Sequence, residues 1–105
     1  MIDSTDPEVM EAALKSLQGK AILNSANLED GDERFSRIAG LAKRFGAAIV
    51  VGTIDERGMA VTLERKLEVA QRSYRLVVEE LGIRPEDIWW DTLVFPCATG
   101  DEQYL

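Results

Sequence analysis

Apolar positions in this chain follow two alternating rhythms. Short uninterrupted apolar runs end at small or polar residues, and after each run the apolar residues recur every three or four positions. The first rhythm is that of a buried strand and the second that of an amphipathic helix, so the pattern predicts βα alternation. Met1-Ile2 reads as the last residues of a strand ending at Asp3, and Asp6-Pro7 starts a helix over 7–18 through Val9, Met10, Ala13, Leu14 and Leu17. Lys20-Ala21-Ile22-Leu23 is the next strand, running into Asn24-Ser25-Ala26-Asn27. Asp30-Gly31-Asp32 then offers cap chemistry for a helix over 33–45, with Phe35, Ile38, Leu41, Ala42 and Phe45 on one face and Gly46 at its stop. Ala47-Ala48-Ile49-Val50-Val51 is apolar throughout and reads as a central parallel strand needing cover on both faces. Past the loop Gly52 to Gly58, Thr62 caps a helix over 62–82 whose apolar positions Leu63, Leu67, Ala70, Tyr74, Val77 and Leu81 step by 4, 3, 4, 3 and 4. Arg84-Pro85-Glu86 turns the chain into Asp87-Ile88-Trp89-Trp90, a strand that stops at Asp91 and opens into the loop Thr92 to Gly100. The expected core of the sheet is Ile22, Leu23, Ile49, Val50, Val51 and Ile88.

Four strand ends in 105 residues sit awkwardly with any closed parallel architecture. A (β/α)8 barrel takes about 250 residues, and a doubly wound sheet usually has more than four strands. The expectation is one domain's worth of chain cut from something larger, without a Pro-, Gly- or Ser-rich linker. Composition narrows the chemistry. A formal net charge of −7 argues against a nucleic-acid backbone or an anionic membrane surface as partner. The chain has no His, and its single Cys97 can form neither an internal disulfide nor a cysteine-based zinc site, so no metal site is expected. No basic start followed by an apolar stretch marks a signal peptide, and no run approaches the roughly 18 apolar residues of a spanning helix. A cytoplasmic location is expected.

Ligands of parallel α/β folds bind at the carboxyl ends of the strands. Asp3, Asn24, Asp55 and Asp91 stand there. An ionised carboxylate accepts two parallel hydrogen bonds and an Asn both donates and accepts, so this set suits a neutral heterocycle with an N–H/NH2 edge and suits phosphate badly. The alternative is that Asp3 and Asp91 are helix caps or loop residues, and spacing alone leaves both readings open.

The motifs Met1-Ile2-Asp3-Ser4-Thr5, Gly19-Lys20-Ala21-Ile22-Leu23-Asn24-Ser25, Gly46-Ala47-Ala48-Ile49-Val50-Val51, Thr53-Ile54-Asp55-Glu56-Arg57-Gly58 and Asp87-Ile88-Trp89-Trp90-Asp91 follow one another along nearly the whole chain. In order and separation this series resembles the pterin-binding domain of cobalamin-dependent methionine synthase. The resemblance implies an α/β fold that is part of a (β/α)8 TIM-type barrel, with roughly half of its strands in residues 1–105. It implies methyltetrahydrofolate as substrate, its methyl group passing to a cobalamin carried by another domain of the parent. Asp3, Asn24 and Asp91 match the pterin-contacting positions, with Asp55 and Ser25 as secondary candidates. Cobalamin and zinc are expected only in other domains, and no catalytic residue or proton donor to the pterin N5 is identified. Isolated from the missing strands, the chain is expected to be inactive.

Dihydropteroate synthase shares the barrel and an Asp–Asn–Asp pterin set, and the long match from Asp55 to Arg75 favours the methionine synthase side. A rival of another class is a non-catalytic α/β binding module that self-associates through its open strand edges. The other conspicuous side chains have ordinary readings. Trp89 and Trp90 are expected to pack on opposite faces of their strand, with a ligand contact as the alternative. Cys97 reads as a loop thiol. Arg65 reads as part of a solvated face with Lys66, Arg72, Glu64 and Glu68, or as a contact for a glutamate tail. Asp55 with Glu56 reads as solvated acids, with cation binding as the alternative.

Overall fold

Four strands lie side by side in the order in which the chain makes them, all parallel. The structure, a computed structural model, describes residues 1–95, 97–100 and 102. Strand β1 (Ile2–Asp3), β2 (Ile22–Ala26), β3 (Ala48–Gly52) and β6 (Ile88–Asp91) form this sheet, and a two-stranded antiparallel hairpin, β4 (Ile54–Asp55) with β5 (Gly58–Met59), follows β3. The connections are α1 (Pro7–Ser16), α2 (Asp32–Phe45) and α3 (Leu63–Tyr74), the last continuing as a π-helical segment, Arg75–Glu80. Sequential order without a reversal separates this arrangement from a doubly wound sheet and matches part of a (β/α)8 wall.

Local chemistry sets the ends of the helices. The Asp6 side chain accepts from the Glu8 amide at 2.8 Å ahead of Pro7, and Thr62 accepts from the Arg65 amide at 3.3 Å. Gly46 closes α2 at φ 65°, a left-handed position that an L side chain rarely adopts.

One face of the sheet carries the core. Leu23, Ile49, Val51 and Ile88 are buried with Met10 and Leu14 of α1, Phe35, Ile38 and Ala42 of α2, and Val69 and Val77 after the hairpin. Ile22 and Val50 belong to the opposite face and are only half-buried, which corrects the expectation that both are core. No helix covers that face among the described residues, so the β3 strand is covered on one side rather than two.

Several boundaries also move. Helix α1 ends at Ser16 rather than 18, and α2 begins at Asp32, capped by Gly31 without a side-chain bond. Strand β2 starts at Ile22 and runs through Asn24 and Ser25 to Ala26, because the ladder with β3 continues to Val51. The peptide between Asn24 and Ser25 is cis, where the β2–β3 register shifts.

The largest departure is on α3. Leu63 and Leu67 are 67% and 52% exposed, and the helix buries Val69 and Ser73 instead. The Leu63–Leu67–Ala70–Tyr74 row lines an open apolar groove of about 520 Å³, closed on its other side by Trp90. Among the described residues no helix is long and apolar enough to cross a membrane.

Candidate functional site

The uncovered face of the sheet gathers three of the residues marked by the sequence. Asp3 pairs with Asn24 across β1 and β2, Asn24 with Val50, and Val50 with Trp89, so these four form one row across all four strands. Strand residues alternate between faces. Leu23, Ile49 and Ile88 point to the helices, which turns Asp3, Asn24, Val50 and Trp89 the other way. Asp91 lies two residues beyond Trp89 and shares its face, at the carboxyl end of β6. Asp3, Asn24 and Asp91 therefore sit at one end and on one face of the sheet.

Asp91 is held by its surroundings. Its carbonyl accepts from the Thr53 amide at 3.1 Å and from the Thr53 hydroxyl at 3.3 Å. One carboxylate oxygen accepts from the Leu93 amide at 2.9 Å, and the Leu93 carbonyl accepts from Lys66 Nζ at 3.2 Å. Leu93 occupies the left-handed region at φ 61°, a conformation costly for a branched side chain and maintained here from both sides. The Asp91 side chain is itself exposed.

Ser25 and Asp55 go elsewhere. Ser25 lines a polar pocket of about 300 Å³ with Thr5, Asn27, Asp30 and Arg34, beside the start of α2. Arg34 there bonds the Asp30 carboxylate and the Thr5 carbonyl. Asp55 is buried in the hairpin, where one oxygen accepts from the Arg57 amide at 3.0 Å and the other pairs with Arg65 at 2.6 Å. Burial pushes this carboxyl up, but the hydrogen bond and charge of Arg65 with the Arg57 amide outweigh it, and the net direction is down. Glu56 is gripped by both terminal nitrogens of Arg72 at 2.8 Å, and chiefly this hydrogen bonding holds its carboxyl at about 2. Arg72 also bonds Asp32 at 2.6 Å, tying the hairpin to α2. Arg65 and Arg72 are thus structural clamps, where the sequence suggests a solvated face.

Replacing Arg65 with Met should raise the titration of Asp55, since burial then acts with only the Arg57 amide against it. In the native protein the depressed carboxyl adds stability that is complete above its ordinary value of 3.8 and disappears as pH falls through the lower folded value. Following the Asp55 side-chain carbonyl by carbon NMR across pH checks this, and an unmoved titration would show that Arg65 is not what holds it down.

Two further residues stand beside the strand ends. Thr53 is buried and fixes the Asp91 backbone, and a small hydroxyl residue just past a buried strand was its only mark. Asn27 lies over the end of β3, its Cβ 3.8 Å from where a Cβ on Gly52 would stand, and its Oδ1 accepts from the Glu29 amide at 2.9 Å. Among the described residues no group of three His, Cys, Asp or Glu is placed to hold a metal ion.

A sequentially ordered parallel sheet with helices on one face, and acidic and amide side chains at the carboxyl ends on the other, is an α/β arrangement consistent with part of a barrel. The family model described as pterin binding enzyme matches residues 1–105, and the chain belongs to that family.

Proposed function

We propose that this chain is the pterin-recognising part of a methyltransferase that passes the methyl group of methyltetrahydrofolate to cobalamin in methionine synthesis. The observation that carries the reading is the shared face and end of Asp3, Asn24 and Asp91. Three strand spacings separate β1 from β6 by about 14 Å, a span a bicyclic ring bridges when a carboxylate reaches inward from each side. Asp91 accepts from the N–H/NH2 edge of the ring, and Asp3 and Asn24 complete recognition from the far strands. Methyl transfer leaves electron density on N5, so hydrogen bonding that favours a protonated N5 lowers the barrier.

The donor set does not fit cobalamin or zinc on this chain. It has no His, and the hairpin carboxylates Asp55 and Glu56 are engaged by arginines. Both groups belong to other domains under this reading, and no step is routed through them here. The dihydropteroate synthase-like alternative asks for cations that bind a diphosphate. Near this end Arg34, Arg65 and Arg72 are paired with carboxylates while Lys66 bonds the Leu93 carbonyl, so the cations of this chain do not separate the two readings. Calorimetric titration with methyltetrahydrofolate and, separately, with a hydroxymethylpterin diphosphate tests the choice. Preference for the diphosphate would reject methyl transfer.

A second reading, a self-associating binding module, draws on the open edges of β1 and β6 and on the apolar groove along α3. Light scattering should then give a mass that rises above 11.7 kDa with concentration. A monomer at every concentration would reject it.

A further inference from the structure

Leu93, just past β6, is gripped by two hydrogen bonds, one on each of its backbone polar groups. Its amide donates to Asp91 Oδ1 at 2.9 Å, and its carbonyl accepts at 3.2 Å from Lys66 Nζ, 27 residues earlier in the chain. The first bond is local and moves with the turn. The second reaches outside it. Lys66 stands on α3, which is seated in the core by the buried Val69 and Ser73, so its bond fixes the turn to the scaffold. The neighbouring Arg65 is paired with Asp55 and Glu68, whereas among the described residues the half-buried Lys66 makes no ion pair and its ammonium serves the Leu93 carbonyl. A hydrogen bond from a charged donor is about twice as strong as a neutral one.

The conformation at Leu93 gives that bond its consequence. At φ 61° the residue is left-handed, a region that an L side chain leaves when nothing holds it there. Released, Leu93 relaxes to negative φ and turns its N–H away from Asp91. The bonds from Thr53 fix only the Asp91 backbone, and the Leu93 amide is what orients its carboxylate. A carboxylate ordered before the ligand arrives loses less rotamer freedom on binding.

We infer that Lys66 is a positioning residue of the candidate site: by holding the Leu93 carbonyl it keeps the turn after β6 left-handed and the Asp91 carboxylate in one orientation. This rests on the pterin reading above and adds to it a residue that acts through the turn rather than on the ligand.

Lys66→Met removes the donor and keeps the aliphatic stem beside Leu63 and Leu67, so the fold should be retained, which circular dichroism verifies. In the free, nitrogen-15-labelled native chain Leu93 should show the strong amide-to-Hα Overhauser effect of a left-handed residue, and Lys66→Met should lose it. Calorimetric titration with methyltetrahydrofolate should find Lys66→Met weakened about fivefold. Adding Leu93→Gly should bring the double variant back to within about twofold of the native chain, because glycine enters the left-handed region as readily as the right-handed one. A merely structural Lys66 gives the opposite result, since loss of the Leu93 side chain then only adds to the damage. Native affinity in Lys66→Met, an unchanged Leu93 signal, or a double variant no better than Lys66→Met would overturn the positioning role and leave pterin binding in place. Failure of the native chain to bind methyltetrahydrofolate would overturn the pterin reading and this inference with it.

Discussion

Replacing Asp91 with Asn should weaken methyltetrahydrofolate binding by roughly 30-fold, or about 2 kcal/mol. The substitution is informative because it separates the fold from the site. An Asn at this position keeps one oxygen to accept from the Leu93 amide, and the bonds from Thr53 go to the backbone carbonyl, so the end of β6 and its loop are preserved. What changes is the other carboxylate oxygen. A carboxylate oxygen becomes an NH2 group facing the donors of the ring, which removes a charge-assisted bond and sets donor against donor. Asp91 is exposed before the ligand arrives, which keeps the loss near the middle of the range for charged hydrogen bonds. Calorimetric titration of the native and variant proteins decides it. Equal affinities would remove Asp91 from the ligand edge, while loss of folding in the variant would mean that the Leu93 turn depends on the carboxylate charge.

Much of the order of elements could be read from the chain, and the failures share a cause. Caps and stops at Asp6, Thr62 and Gly46 are local, so residue type suffices to place them. Facing is not local. Helix α3 carries two rows at helical spacing, Leu63–Leu67–Ala70–Tyr74 and Val69–Ser73–Val77, and periodicity favours the more apolar first row. The fold buries the second, with Ser73 inside it, because that row faces the sheet and α2. Strand β2 shows the converse. A rule that ends strands at the first polar residue stops it at Leu23, yet the backbone ladder to β3 continues past Asn24 regardless of side-chain polarity. The β4–β5 hairpin, two residues on each side, is shorter than any alternation pattern can reveal.

The candidate site divides in the same way. Asp3, Asn24 and Asp91 could be picked out because strand ends are marked by where apolar runs stop, and in a parallel sheet all such ends lie on one edge. That they also share a face depends on register, which follows from pairing between strands far apart in sequence. Asp55 stands at an equally good position in the chain and is turned away by the hairpin, which brings it against Arg65 ten residues later. The same hairpin turns Glu56 to Arg72, so the adjacent acids that suggest a cation site are internally neutralised.

The two phenylalanines of α2 offer the sharpest comparison between pattern and packing. By helical spacing Phe35 and Phe45 lie on the same apolar face and should matter alike. In the fold Phe35 is 0% exposed, whereas Phe45 is half-buried at the end of the helix with the Arg44 guanidinium 5.2 Å from its ring centroid. Truncating Phe35 to Ala removes a ring that the sheet and helices surround on every side, and neighbours in a dense interior close such a cavity only in part. The expected loss is about 3–5 kcal/mol, a large share of the 5–15 kcal/mol typical of a whole domain. Phe45→Ala should cost less than half as much, since water already reaches that site and the main losses there are partial burial and a weak cation–π contact. Urea unfolding followed by circular dichroism gives both values under the same conditions. Equal losses would mean that the helix packs by its sequence periodicity and that the burial of Phe35 beneath the sheet is wrong. A near-complete loss of the cooperative transition for Phe35→Ala alone would place the ring where the structure has it, at the centre of the core that holds the strands, and hence the Asp3–Asn24–Asp91 face, in register.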